Sequence, residues 1–108
     1  MEYWICITNE ENWQIINKSN VWGVSERWKK NLIQVKPRDH LIFYVMQTKK
    51  DRETVPPRIA GIFKVASEPY TDKKKLFKPH REKEIYPYRI KINSIKIAEI
   101  GEILLSKS

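Results

Sequence analysis

The sequence predicts an α+β fold: a small, strongly bent mixed sheet or partly open β-barrel, with two short helices inserted after the first strand. Three observations predict it. Strand-like runs recur at residues 3–7, 41–45, 58–65, 88–92 and 95–97, helical patterning is confined to the stretch after the first run, and 108 residues leave room for one modest core. A single domain over 1–108 is therefore expected.

The elements follow in order. Residues 3–7 are a continuous apolar stretch of β-formers, the pattern of a central strand covered on both faces. Asn9 stands where an N-cap belongs, Glu10 and Glu11 fill the first turn, and Trp13 and Ile16 lie three apart, so a helix runs to about Lys18 and ends at Ser19-Asn20. Val21-Trp22-Gly23-Val24 reads as an apolar connection, after which Ser25 can cap a second helix with Trp28, Leu32 and Val35 on one face. Lys36-Pro37-Arg38-Asp39 is a turn into the buried strand 41–45. The polar run 47–54, closed by Pro56-Pro57, reads as an exposed loop. Residues 58–65 alternate, and Gly61 among them marks a bulge or a close approach. Residues 67–86 are polar and lysine-rich with isolated anchors Tyr70, Leu76 and Phe77, the pattern of a long functional loop. Tyr88, Ile90 and Ile92, then Ile95 and Ile97, read as two strands joined by a hairpin turn at Asn93-Ser94, with Arg89, Lys91 and Lys96 on an outward face. The tail beyond Gly101 carries no assignable pattern.

Composition narrows the function classes. Lys and Arg number 21 against 13 Asp and Glu, a formal net charge of +8 with a pI near 9.6. Polyanions are the natural partners of such a field, although Lys and Glu enrichment also serves solvation alone. The longest apolar run, residues 41–46, is far too short to span a membrane, and the N-terminus lacks the pattern of an export signal, so a cytoplasmic protein with no membrane partner is expected. Cys6 is the only cysteine, which rules out an intrachain disulfide and a cysteine-based zinc site; mid-strand between Ile5 and Ile7, it reads as core packing. His40 and His80 stand too isolated for a metal site, and no residues point to a cofactor.

Four tryptophans are many for this length, and each can fill a core or carry a flat ligand. Trp4, Trp13 and Trp28 have strand or helix partners and read as core. Trp22 has no periodic apolar partners and precedes Gly23, beside which a ligand can approach the backbone closely. Asn9 reads equally as a helix cap or as a donor and acceptor for the edge of a base. Lys73, Lys74, Lys75, Lys78 and Arg81 crowd the long loop, and Arg27, Lys29 and Lys30 follow Trp22; with Arg89 they are candidate phosphate ligands if they rim one pocket. For the lysine triplet a merely solvated charge run stays open.

Six short motifs carry a family resemblance. They are Tyr3-Trp4-Ile5-Cys6-Ile7-Thr8-Asn9, Val21-Trp22-Gly23-Val24, Val35-Lys36-Pro37-Arg38-Asp39, Pro56-Pro57-Arg58-Ile59-Ala60-Gly61-Ile62, Phe77-Lys78-Pro79 and Tyr86-Pro87-Tyr88-Arg89-Ile90-Lys91. In this order and at these separations they resemble the archaeal branch of the EVE domain, a PUA-like fold related to the YTH domain, over the chain to about Ile100. The resemblance implies a β-barrel with a pocket for one extruded, often modified base: 5-methylcytosine-type bases in DNA for some EVE proteins, N6-methyladenine in RNA for YTH. It implies that Asn9, preceded by Thr8, reads the base edge, and that Trp22, with Gly23 and Val24, forms the first wall of an aromatic cage. For the second wall, Phe77, Tyr86 and Tyr88 lie in the corresponding stretch, and the choice among them stays open. The family's further C-terminal segment has no counterpart here, which leaves room for a second copy or a partner protein at an open sheet edge.

The expectation is thus a non-catalytic module binding RNA or DNA through one base and its flanking phosphates. Two rivals remain. A PUA-like enzyme related to the ASCH domains would need a Gly-x-Lys-x-x-Glu-x-Arg stretch, which Gly23-Val24-Ser25-Glu26-Arg27 does not fit, and the sequence offers no nucleophile beside a base. A protein-interaction module would use an unpaired sheet edge to recruit a partner by β-addition.

Overall fold

The structure is a computed structural model that describes residues 1–50, 52–77 and 86–97. Strand β1 (Tyr3–Thr8) is followed by helix α1 (Glu10–Ser19), strand β2 (Val21–Val24), a 3-10 turn (Glu26–Trp28) and the four-residue α2 (Lys29–Leu32). Then come β3 (His40–Val45), β4 (Thr48–Lys50), β5 (Glu53–Val55), β6 (Arg58–Val65), β7 (Tyr70–Thr71) and β8 (Tyr88–Ile97). Among the described residues, one curled mixed sheet runs β1-β3-β6-β8-β2 with β7 beside β8, while β4 and β5 form a separate hairpin. β1 lies parallel to β3, and the other pairs are antiparallel.

The curl comes from β8 and two bulges. Residues 88–91 of β8 pair with β2 and residues 92–97 with β6, so one long strand carries the sheet round a corner. Phe43 faces Gly61 but Tyr44 faces Ile59, and Ile62 faces Lys96 but Phe63 faces Ser94, which leaves Ala60 and Ile95 as extra residues. Each extra residue bends its strand and raises the local twist. The second bulge replaces the hairpin turn expected at Asn93-Ser94. The break in alternation there marks one inserted residue, and the strand continues through it.

Helix α1 closes the inside of the curl. Asn9 caps it with extended backbone (φ −93°, ψ 171°), and Asn20 ends it in the left-handed region at φ 59°. Trp13 and Ile16 are buried, and Trp13 seats on Gly61, where a Cβ would stand 2.8 Å from the indole Cη2. Trp13, Phe43 and Phe63 make the centre of the core, with ring centroids 5.3 to 6.0 Å apart. Edge-to-face geometry dominates, as ring quadrupoles favour.

Three expectations are corrected. β1 is not central: among the described residues it pairs only with β3, and Tyr3, Ile5 and Ile7 are 61, 73 and 61% exposed. The polar run after β3 forms the β4–β5 hairpin rather than a loop. In the second helix Leu32 and Val35 are buried but Trp28 is 53% exposed, because Trp28 sits at the junction of the 3-10 turn and α2 (φ −106°, ψ 8°), where the helical phase is broken. Lys78, His80, Arg81, Lys83 and the tail beyond Ile97 lie outside the described residues.

Candidate functional site

A cavity of about 430 Å³ lies between β1 on one side and β2 with its following turn on the other. That is within the usual size of small-ligand sites, roughly 300 to 1,000 Å³. Residues 4–9 all line it in succession, inward-facing and outward-facing alike, so the cavity runs along the edge of β1. The carbonyls of Glu2 and Thr8 accept from His40 N and Met46 N across the β1–β3 seam. Strand alternation then turns the backbone N–H and C=O of Ile5 and Ile7 away from β3, towards the cavity side.

Of the eight residues expected around a base, Thr8, Asn9, Trp22, Gly23, Val24, Phe77 and Tyr86 line this cavity and Tyr88 does not. Trp22 comes from β2, where it pairs with Ile90; its ring is half-buried and meets Phe43 edge-on at 5.2 Å and 76°. The expectation that Trp22 lacks core partners is thereby corrected, since Phe43 anchors one edge. Asn9 performs one of the two tasks its position suggested: its Oδ1 accepts from Asn12 N at 2.8 Å, capping α1. Asn9 also lines the cavity. Gly23 is required by the protein itself, because a Cβ there would stand 2.5 Å from Phe77 Cε2. Tyr88 instead gives its hydroxyl to the Glu26 carboxylate, a bond that raises its pKa above the usual tyrosine value, with the Lys29 ammonium 4.9 Å over its ring.

Arg89 is corrected from phosphate ligand to internal clamp. It is 2% exposed; its Nε donates to Tyr86 O at 3.1 Å, its Nη2 donates to Lys74 O, and Nη1 lies 3.5 Å from Asp72. Its guanidinium also stacks 5.5 Å over the Phe77 ring. The β2–β8 register, Gly23 opposite Arg89, places the side chain inside, where it ties both ends of the long loop and seats two cavity walls. Among the other candidate cations, Arg27 lines the cavity, Lys29 and Lys30 are exposed on α2, and Lys73, Lys74 and Lys75 are exposed just after β7. Because β7 and β2 flank the same end of β8, both basic groups stand at one end of the sheet.

Sequence reasoning missed Trp4, Trp28 and Asn31 as lining residues. Trp4 was counted as core, yet its indole Nε1 donates to Asp39 Oδ2 at 3.0 Å, which holds the ring at the cavity. For Trp28 the signal was present: Arg27, Lys29 and Lys30 surround it, an unlikely company for a buried face. Arg27 is the one ionised side chain among the described lining residues, and no carboxylate is among them. Cys6 also lines the cavity, and burial pushes its thiol up to about 12, so it stays protonated and inert. The lining is thus largely apolar and aromatic, with neutral polar groups from Thr8, Asn9, Asn12, Ser25 and Asn31.

The EVE domain model matches residues 2–103. The chain belongs to the EVE domain family. Two UPF0310 proteins are similar to this EVE domain, one of Pyrococcus horikoshii at 56% identity over 103 residues and one of Pyrococcus abyssi at 50% over 100. They cover 94% and 93% of the chain, which spans 71% and 70% of their own lengths. Among solved structures, the Mmi1 YTH domain in complex with RNA superposes with a TM-score of 0.62 at 20% identity, over 93% of this chain and 58% of that one. The EVE domain thus has the YTH-type fold, a curled mixed sheet with short helices. Among its described residues no helix is long and apolar enough to cross a membrane, and no group of three or more His, Cys, Asp or Glu could hold a metal ion.

Proposed function

We propose that this EVE domain is a non-catalytic module that binds single-stranded RNA or DNA by taking one base, modified or unmodified, into the cavity beside β1. The observation that carries the reading is the lining itself: aromatic walls from Trp22, Trp4 and Tyr86, neutral hydrogen-bonding groups from Asn9 and the β1 edge, and no carboxylate. A flipped base needs a flat apolar surface for its face and donors and acceptors for its edge. Arg27 on the lining and the exposed lysines at that end of the sheet suit the flanking phosphates. The RNA bound to the Mmi1 YTH domain, a protein of similar fold, supports nucleic acid as the partner class. Folding in the cytoplasm, with nucleic acid at hand, fits this role.

The reading is tested by the salt dependence of binding to a mixed-sequence single-stranded nonamer. The logarithm of affinity should fall linearly with the logarithm of salt, with a slope of about −0.7 per phosphate engaged. Replacing Lys73, Lys74 and Lys75 by Ala should flatten that slope and weaken all sequences alike. A salt-independent affinity, or no binding at low salt, contradicts the proposal.

One observation favours a second reading. Tyr3, Ile5 and Ile7 project from an edge strand with more than half of each side chain exposed, the feature of a surface that takes a partner strand or a second copy by β-addition. Tyr3→Lys, on the part of β1 that does not line the cavity, should weaken such an association, read by sedimentation, and leave nonamer binding in place.

A further inference from the structure

Trp28 is the aromatic residue that a one-base site leaves unused. It lines the cavity and is 53% exposed, so the indole sits at the mouth, between cavity and solvent. Leu32 and Val35 are buried without it. The turn that carries it is bolted to β8: Glu26 accepts from the Tyr88 hydroxyl, and Lys29 lies over the Tyr88 ring. The acidic neighbour is thereby engaged away from the mouth, and Trp28 is left between the exposed cations Arg27 and Lys30. An exposed indole flanked by cations is the arrangement by which single strands are held, one base on the ring and its phosphate on the charge.

We propose that Trp28 is a second stacking platform, taking the base next to the one in the cavity, with Arg27 and Lys30 on the phosphate between them. The proposal rests on the reading of the cavity as a base site and makes its ligand class sharper. Two platforms, one inside the cavity and one at its mouth, require two adjacent nucleotides splayed apart. The ligand is therefore an unpaired oligonucleotide, and a free nucleoside or an intact duplex fills only part of the site or none of it.

The test compares wild type, Trp28→Ala, Trp28→Tyr and Trp22→Leu against three probes: the nucleoside 5′-monophosphates, a single-stranded RNA nonamer, and that nonamer annealed to its complement. Monophosphates are followed by chemical-shift titration and the nonamers by fluorescence anisotropy. Trp28→Ala should lower the ratio of nonamer to monophosphate affinity by about 5- to 150-fold, the worth of one aromatic stack. Trp28→Tyr should restore most of it, the duplex should bind wild type less tightly than the single strand, and Trp22→Leu should weaken both single-stranded probes and leave the ratio in place. An unchanged ratio in Trp28→Ala overturns the proposal, whether both affinities fall together or neither falls. If Trp22→Leu binds both probes like wild type while Trp28→Ala loses the nonamer, the base-site reading fails and the Trp28 platform stands. If wild type binds no probe, both fail.

Discussion

At Gly23 a single methyl group would reach within 2.5 Å of Phe77 Cε2 and 3.1 Å of the Tyr86 carbonyl oxygen. Real side chains do not come so close, so Ala at this position must push Phe77 out of the cavity wall. Gly23→Ala should cost about 1 to 3 kcal/mol, the usual penalty of overpacking. In a Phe77→Ala background most of that cost should vanish, as urea unfolding of the four proteins of the cycle would report. Equal costs in both backgrounds would contradict the contact. The sequence marked Gly23 as special but assigned its space to a ligand, because the partner ring lies far along the chain and no local pattern reveals it. Asn9 was legible as a cap, since an asparagine placed just before two acidic residues and a helical apolar repeat is a local signal. Arg89 was not: its burial follows from Asp72 and from two carbonyls across a loop, groups that periodicity does not see.

At the scale of elements, the edge strand β1 is tied down by Asp39. Its carboxylate accepts from Glu2 N, Trp4 Nε1 and Lys36 N, each at 3.0 Å, so one buried group joins the start of β1, the cavity-lining indole and the turn before β3. Burial alone would raise its pKa, but these three hydrogen bonds, with a smaller pull from the N-terminal ammonium, outweigh it and hold the group at about 2. The folded value lies below the ordinary one, 3.8. Its stabilisation is therefore complete above about pH 4 and is lost as pH falls towards 2. Wild type should lose more unfolding free energy between pH 4 and 2 than Asp39→Asn does, measured by urea titration at each pH. Parallel curves would contradict the latch. The sequence showed the Lys36–Asp39 stretch as a turn, yet its reach to Trp4 depends on the parallel pairing of β1 with β3, which no strand pattern specifies. The same limit explains β8: a bulge and a hairpin turn both interrupt alternation, and only the partner strand distinguishes them.

For the molecule as a whole, the order of strands and helices was readable because hydrophobic periods of 2 and 3.6 differ sharply over most of the chain. The family motifs then brought residues from three separate segments, around Asn9, Trp22 and Phe77, to one cavity, which periodicity alone does not do. The central claim is that this cavity holds one base. It is tested most directly with an oligonucleotide whose residues are all abasic except for a single base at its centre, compared with the fully abasic chain. Both carry the same phosphates, so the phosphate contribution cancels. The lone base should raise wild-type affinity by about 1 to 3 kcal/mol, and Trp22→Leu, which keeps apolar contact with Phe43, should lose that gain while still unfolding cooperatively. No gain from the base in wild type, or the same gain in Trp22→Leu, would contradict the account.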